Sequence, residues 1–316
     1  MEPPAGRFSG SLNSTTRSGS EVVTRQGIPH ATAPLLAQQP AAIQPPPVQN
    51  WRLALALLIV AATIENSLTL TTFSVESLAA HNITGDGATS TLPTTSRLLG
   101  ATMAAGPASL LMGRIGRRLG FVVGALLAVL GALVCALAVH LRSYYLLLAG
   151  SVLAGSEAGF GGFLRFAAAE VVSADMRPRA ISWIVAASVA AAILGPRFAQ
   201  ATRALLPVEF VGTYLAVAAL AVVYIFVLAA NTGLPRPAVS AGNEVTAKRK
   251  TTIMDLLSQP GFVVALLGQV GGNMAMVFIM VAMPVVMEGL EFEYTTIADV
   301  VTVHALGMYV LALYSV

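Results

Sequence analysis

The chain has 316 residues, of which 56% are hydrophobic and only 10% charged, with a formal net charge of +3 and a mean hydropathy of +0.75. Soluble domains carry about 25% charged residues, so charge is too scarce here to cover a water-soluble globule and the composition is that of a polytopic membrane protein. The small basic excess calls for no nucleic-acid partner, and a single cysteine, Cys135, excludes an intrachain disulfide.

Residues 1–50 are rich in Pro, Ser, Thr, Gly and Gln and have no apolar periodicity, which reads as a disordered cytosolic tail. Apolar stretches then recur. About 20 such residues cross a bilayer core, which predicts membrane helices over Leu53–Thr72, Pro93–Met112, Phe121–His140, Tyr144–Phe166, Ala180–Ala201 and Val208–Ala229. Together they make residues 51–230 a six-helix bundle. Residues 231–260 form a polar, basic connector containing Lys248 and Lys250, within which Ile253, Leu256 and Leu257 could form a short interfacial helix. Residues 261–316 hold a seventh helix, Phe262–Met287, bent near Pro284, and an eighth, Ala298–Val316. The all-α chain thus reads as a complete six-helix unit plus two helices of a second.

With the N-terminus in the cytosol, fourteen of the 18 lysines and arginines fall in inner segments, a strong positive-inside bias. Arg97, Arg142, Arg197 and Arg203 are left on the outer side.

The connector between the second and third helices reads Met-Gly-Arg-Ile-Gly-Arg-Arg-Leu-Gly over residues 112–120. Three arginines and three glycines in so short a run cannot sit in hydrocarbon and must turn at a membrane surface. The run resembles the loop motif Gly-x-x-x-Asp-Arg-x-Gly-Arg-Arg of major facilitator transporters. Arg114, Gly116, Arg117 and Arg118 match, whereas Gly113 replaces the aspartate and Ser109 the leading glycine. In the fifth helix, Gly195-Pro196 is similar to that family's Gly-x-x-x-Gly-Pro-x-x-Gly motif, with Ala191 and Ala199 at the flanking glycine positions. The stretch from Phe163 to Glu170 resembles an Arg-Phe-Ala-Ala-Ala-Asp signature of bacterial-type facilitators, placing Arg165 and Glu170 at the inner interface.

The resemblance implies a major facilitator bundle working by alternating access. It implies secondary transport of a small solute driven by protons, in the plasma or inner membrane. The family's fold has twelve helices, so the sequence reads as truncated after the eighth. That leaves an alternative, a decayed facilitator core serving as a non-transporting receptor or scaffold, which the missing aspartate at position 113 favours.

Carboxylates inside a bilayer cost about 2.5–3.5 kcal/mol or more at mid-depth and default to functional candidates. Glu65 lies inside the first helix on one face with Thr69, Thr72 and Glu76, and Asn66 is beside it. Glu157 lies mid-way along the fourth helix, turned away from the Gly155/Gly159 packing pair. Both are candidates for solute or proton contact, although Glu157 could instead pair with Arg97 and only tie helices together. Gln269 and Asn273, one turn apart on the seventh helix, could reach a solute or bond to neighbouring helices. No phosphate-binding loop, metal-ligand spacing or nucleophile motif appears in the sequence. The expectation is a carrier with no catalytic residues, cofactor or metal.

Overall fold

A bilayer offers backbone N–H and C=O groups no water, so each long apolar stretch closes its hydrogen bonds internally as a helix. In the computed structural model, which describes residues 50–87, 89–234 and 253–314, the regular elements among these residues are all helical. They are α1 (Trp51–Thr84), α2 (Leu92–Ile115), α3 (Arg117–His140), α4 (Tyr144–Gly161), α5 (Leu164–Val171), α6 (Arg177–Thr202), α7 (Val211–Ala230), the one-turn α8 (Ile253–Leu257), α9 (Pro260–Gly289) and α10 (Tyr294–Tyr314). Counting α4 with α5, seven helical stretches among the described residues are long and apolar enough to cross a membrane. α10 adds a helix of 21 residues. The expectations for the tail and for most of the basic connector lie outside the described residues.

Two helices differ from the sequence reading in ways that shape the interior. The first continues twelve residues beyond the expected Thr72, to a C-cap at Gly85. Its 34 residues span about 51 Å at 1.5 Å per residue. It stays buried because Glu76, whose charge should end an apolar span, is paired inside the protein with Arg97. The fourth helix breaks after Gly161, and α5 starts afresh at Leu164. The backbone stays paired through the break, with the Gly162 N–H donating to the Ala158 carbonyl at 3.1 Å and the Phe163 N–H to the Phe160 carbonyl at 3.0 Å.

Small residues set the packing. α4 lies against α2 and α3, α1 against α6, and α3 against α7. A Cβ on Gly159 would sit 2.7 Å from the Ala101 carbonyl, and one on Gly155 would collide with the Arg97 carbonyl, so α2 and α4 touch backbone to backbone. α2 passes to α3 through one residue, Gly116, at φ +91° and ψ 159°, a conformation that L side chains rarely adopt.

α9 meets the other helices at one end only. Met280, Val281, Pro284 and Met287 of α9 are buried, whereas residues 264–275 are exposed throughout. The partners lie in the half of α1 near Phe73 and in α6 near Ala191.

Candidate functional site

The break between α4 and α5 opens beside Glu65. There a cavity of about 280 Å³ is lined by Glu65, Asn66, Gly161, Gly162, Arg165 and Ser188, with apolar residues of α1, α4 and α6 around them. Glu65 is half-buried and its carboxylate lies over Gly161; a Cβ there would fall 2.7 Å from Glu65 Oε1. Gly161 is therefore what gives the carboxylate its room. Arg165, in the first turn of α5, turns back so that Nε donates to the Gly162 carbonyl at 3.3 Å. Its charge acts on Glu65. Asn66 spends Nδ2 on the Ala62 carbonyl at 2.8 Å, which leaves Oδ1 to accept from a visitor. The cavity thus offers a carboxylate, an amide oxygen, a guanidinium and the Ser188 hydroxyl, enough to hold a polar solute from several directions.

Glu157 is 2% exposed and its Oε1 has no hydrogen-bond partner. It lies within electrostatic reach of both Glu65 and Arg97. Arg97 occupies the second turn of α2 and is 5% exposed. Its Nε donates to Glu76 Oε2 at 3.1 Å, and the Ser151 hydroxyl donates to the other carboxylate oxygen. The expected alternative partner of Arg97, Glu157, is left with the orphan oxygen. Two polar layers therefore stack inside the bundle, one around Glu65 and one around Glu76, with Glu157 between them.

The remaining candidates lie apart. Gln269 is exposed on α9. Asn273 lines a different, mostly apolar cavity of about 630 Å³ between α9 and the first turns of α2, with Thr91, Thr95 and Leu98. At the Gly116 turn, Arg117 forms a two-point ion pair with Glu170 (2.6 and 3.1 Å), and Arg118 donates to the Ala229 carbonyl at the end of α7. Arg114 is exposed. Glu170 thus pairs with the turn arginine, and Arg165 faces the cavity. Gly195 lets α6 pack closely on α1, where a Cβ would lie 2.7 Å from Leu70 Cβ, and its carbonyl accepts from Thr71 Oγ1 at 3.0 Å. Pro196 has no N–H to donate, yet α6 runs on through it to Thr202.

Ser151, Gly161 and Ser188 were not singled out in the sequence. The Gly161-Gly162 pair was the available signal, because adjacent glycines weaken a helix. The two serines carried none.

The chain also resembles known proteins. The family model described as Major Facilitator Superfamily matches residues 55–315. The riboflavin transporter RfnT of Brucella anthropi is 28% identical over 256 residues, which covers 81% of this chain. The chain spans 64% of that relative's length. Long apolar helices, the single-glycine basic turn and the family match along most of the chain agree: the protein is an integral, multi-pass membrane protein and belongs to the Major Facilitator Superfamily, a family of transport proteins and not of enzymes.

Proposed function

We propose that the chain is the solute-binding part of a secondary carrier, and that the cavity at the α4–α5 break holds the solute. The observation that carries this reading is Glu65. A carboxylate kept half-buried in a polar cavity beside a broken helix is costly in a membrane protein unless it is used. The riboflavin transporter that resembles the chain supports a planar, polyhydroxylated heterocycle of the flavin class as the solute. Such a molecule has the donors that Glu65 and Asn66 accept and the carbonyls that Arg165 and Ser188 bind.

Protons are the coupling ion in this reading. Glu65 and Glu157 interact electrostatically, and two carboxylates within reach of each other disfavour simultaneous ionisation, which suits one proton being exchanged for solute. The N-terminal end of α1 faces the cytosol, in keeping with the basic residues at the Gly116 turn.

The test is riboflavin binding and pH-gradient-driven uptake by the chain reconstituted in liposomes. Binding that falls about tenfold or more in Glu65→Gln, with gradient-driven uptake lost in Glu157→Gln, supports the reading. Riboflavin bound equally well by the parent and Glu65→Gln would place the site elsewhere, and no binding at all would remove the flavin assignment.

A further inference from the structure

α1 begins beside the point where α7 ends, and the two helix ends leave a cavity of about 240 Å³ between them. Asn50, Leu53 and Ala54 line it on one side, and Ala230, Asn231 and Thr232 on the other. Both helices are long and apolar enough to cross a membrane, so their ends lie where hydrocarbon gives way to headgroups. No residue of this cavity lines the one at Glu65.

Asn231 is held firmly there. Its Nδ2 donates to the Ala54 carbonyl at 2.9 Å, which ties α7 to α1. The residue is 1% exposed, yet among the described residues nothing donates to Oδ1. A buried acceptor left unmet weakens the fold, and a hydrogen-bond donor in the cavity would satisfy it.

The two helix ends carry opposite partial charges. The first N–H groups of α1 have no partner within the helix, Asn50 supplies no side-chain cap, and the first turn holds no acidic residue. Its partial positive charge is therefore unanswered, and the exposed Arg52 adds a full one. The Arg52 guanidinium lies 5.4 Å from the centre of the Trp51 ring, a pairing suited to the headgroup level. α7 ends in partial negative charge, with no basic residue in its last turn. Arg118 takes the Ala229 carbonyl, next to the cavity, and leaves Asn231 Oδ1 unmet. Basic residues alone would suit any anionic lipid. The orphan acceptor adds a demand for a donor, so the complementary ligand has an anion on the α1 side and an N–H-bearing cation on the α7 side.

We propose that this cavity binds one phosphoethanolamine head, belonging to a phosphatidylethanolamine of the adjoining leaflet. The phosphate meets the start of α1 and Arg52. The ammonium donates to Asn231 Oδ1. The acyl chains leave past Leu53, which is 60% exposed. Phosphatidylcholine carries the same charges but has no N–H, so Asn231 distinguishes the two lipids.

Native mass spectrometry of the full chain, purified in detergent and titrated with one lipid at a time, tests the proposal. Phosphatidylethanolamine should fill its first site about tenfold more tightly than phosphatidylcholine, the worth of one hydrogen bond from a charged donor. Asn231→Leu should abolish that preference. Since this change also removes the bond to Ala54, Thr232→Trp provides a second variant. Thr232 is exposed and lines the cavity, so the larger ring should block it, lowering first-site affinity about tenfold with the melting temperature unchanged. No preference in the parent, a preference that survives Asn231→Leu, or unchanged binding in Thr232→Trp would each overturn the proposal. Tighter binding of phosphatidylglycerol that Thr232→Trp weakens would make this an anionic-lipid site and overturn it too. Soluble phosphoethanolamine that binds as tightly as the lipid would overturn the lipid as the source of the head.

Discussion

Glu76 of α1 and Arg97 of α2 form an ion pair at 3.1 Å in the interior, where the residues are 0% and 5% exposed. Ser151 of α4 completes the carboxylate's hydrogen bonding. The arrangement joins three helices and explains how α1 passes a glutamate without ending. Breaking a buried pair by removing one partner costs about 3–5 kcal/mol, because the other charge remains buried and uncompensated. Glu76→Gln and Arg97→Gln should therefore each lower the unfolding free energy by that order, as read by thermal denaturation in detergent. The apolar pair Glu76→Leu/Arg97→Met should cost much less than the sum of the two single changes. Additive losses would show that the two side chains do not act as a pair.

The Arg117–Glu170 pair at the Gly116 turn makes a contrast. Its side chains are 22% and 41% exposed, so solvent screens the attraction, and Glu170→Gln should change stability by no more than about 1 kcal/mol. Gly116→Ala in the same turn should cost more, about 1–3 kcal/mol, because φ +91° strains any residue with a Cβ. If the glutamate change proved the more harmful in the same denaturation experiment, the turn would depend on charge and not on backbone geometry.

Gly161→Ala tests the room beneath Glu65. The added methyl would lie 2.7–2.8 Å from three atoms of the glutamate side chain, so the carboxylate must shift. Overpacking of this kind costs about 1–3 kcal/mol, and solute affinity should fall roughly tenfold where that strain is relieved by moving Glu65. Gly162→Ala, with only the Ala158 carbonyl at 3.6 Å from its Cβ, should leave affinity near the parent value. Equal losses at both positions would mean that the break itself, and not the glutamate's position, governs binding.

The helices were legible in the sequence because long apolar runs permit little else in a bilayer. Gly116 and its arginines were legible because no such run can contain them. Helical spacing gathers Glu65, Thr69, Thr72 and Glu76 on one face, but of these only Glu65 lines the cavity, and Glu76 is buried against Arg97. What escaped was whatever depends on pairs distant in sequence. Arg97 looks like an interfacial residue until Glu76 is brought against it by the packing of α2 beside α1. Arg165 and Glu170 both belong to α5, but five residues apart they point about 140° away from each other. Each side chain therefore meets the neighbour that packing brings to its own face, Arg165 the cavity and Glu170 Arg117. The pairing of Arg197 on α6 with Asp299 on α10 likewise joins residues about a hundred positions apart, which no local pattern encodes.

Water access to position 65 is the property on which the whole account turns. A cysteine placed there in the Cys135→Ala background, in a lipid bilayer, should react with a small membrane-impermeant thiol reagent. Solute at concentrations well above the Kd weakened by loss of the carboxylate should slow that reaction, since the solute would occupy the 280 Å³ cavity. A cysteine at 65 that reacts only with lipid-soluble reagents, and is indifferent to solute, would contradict the account.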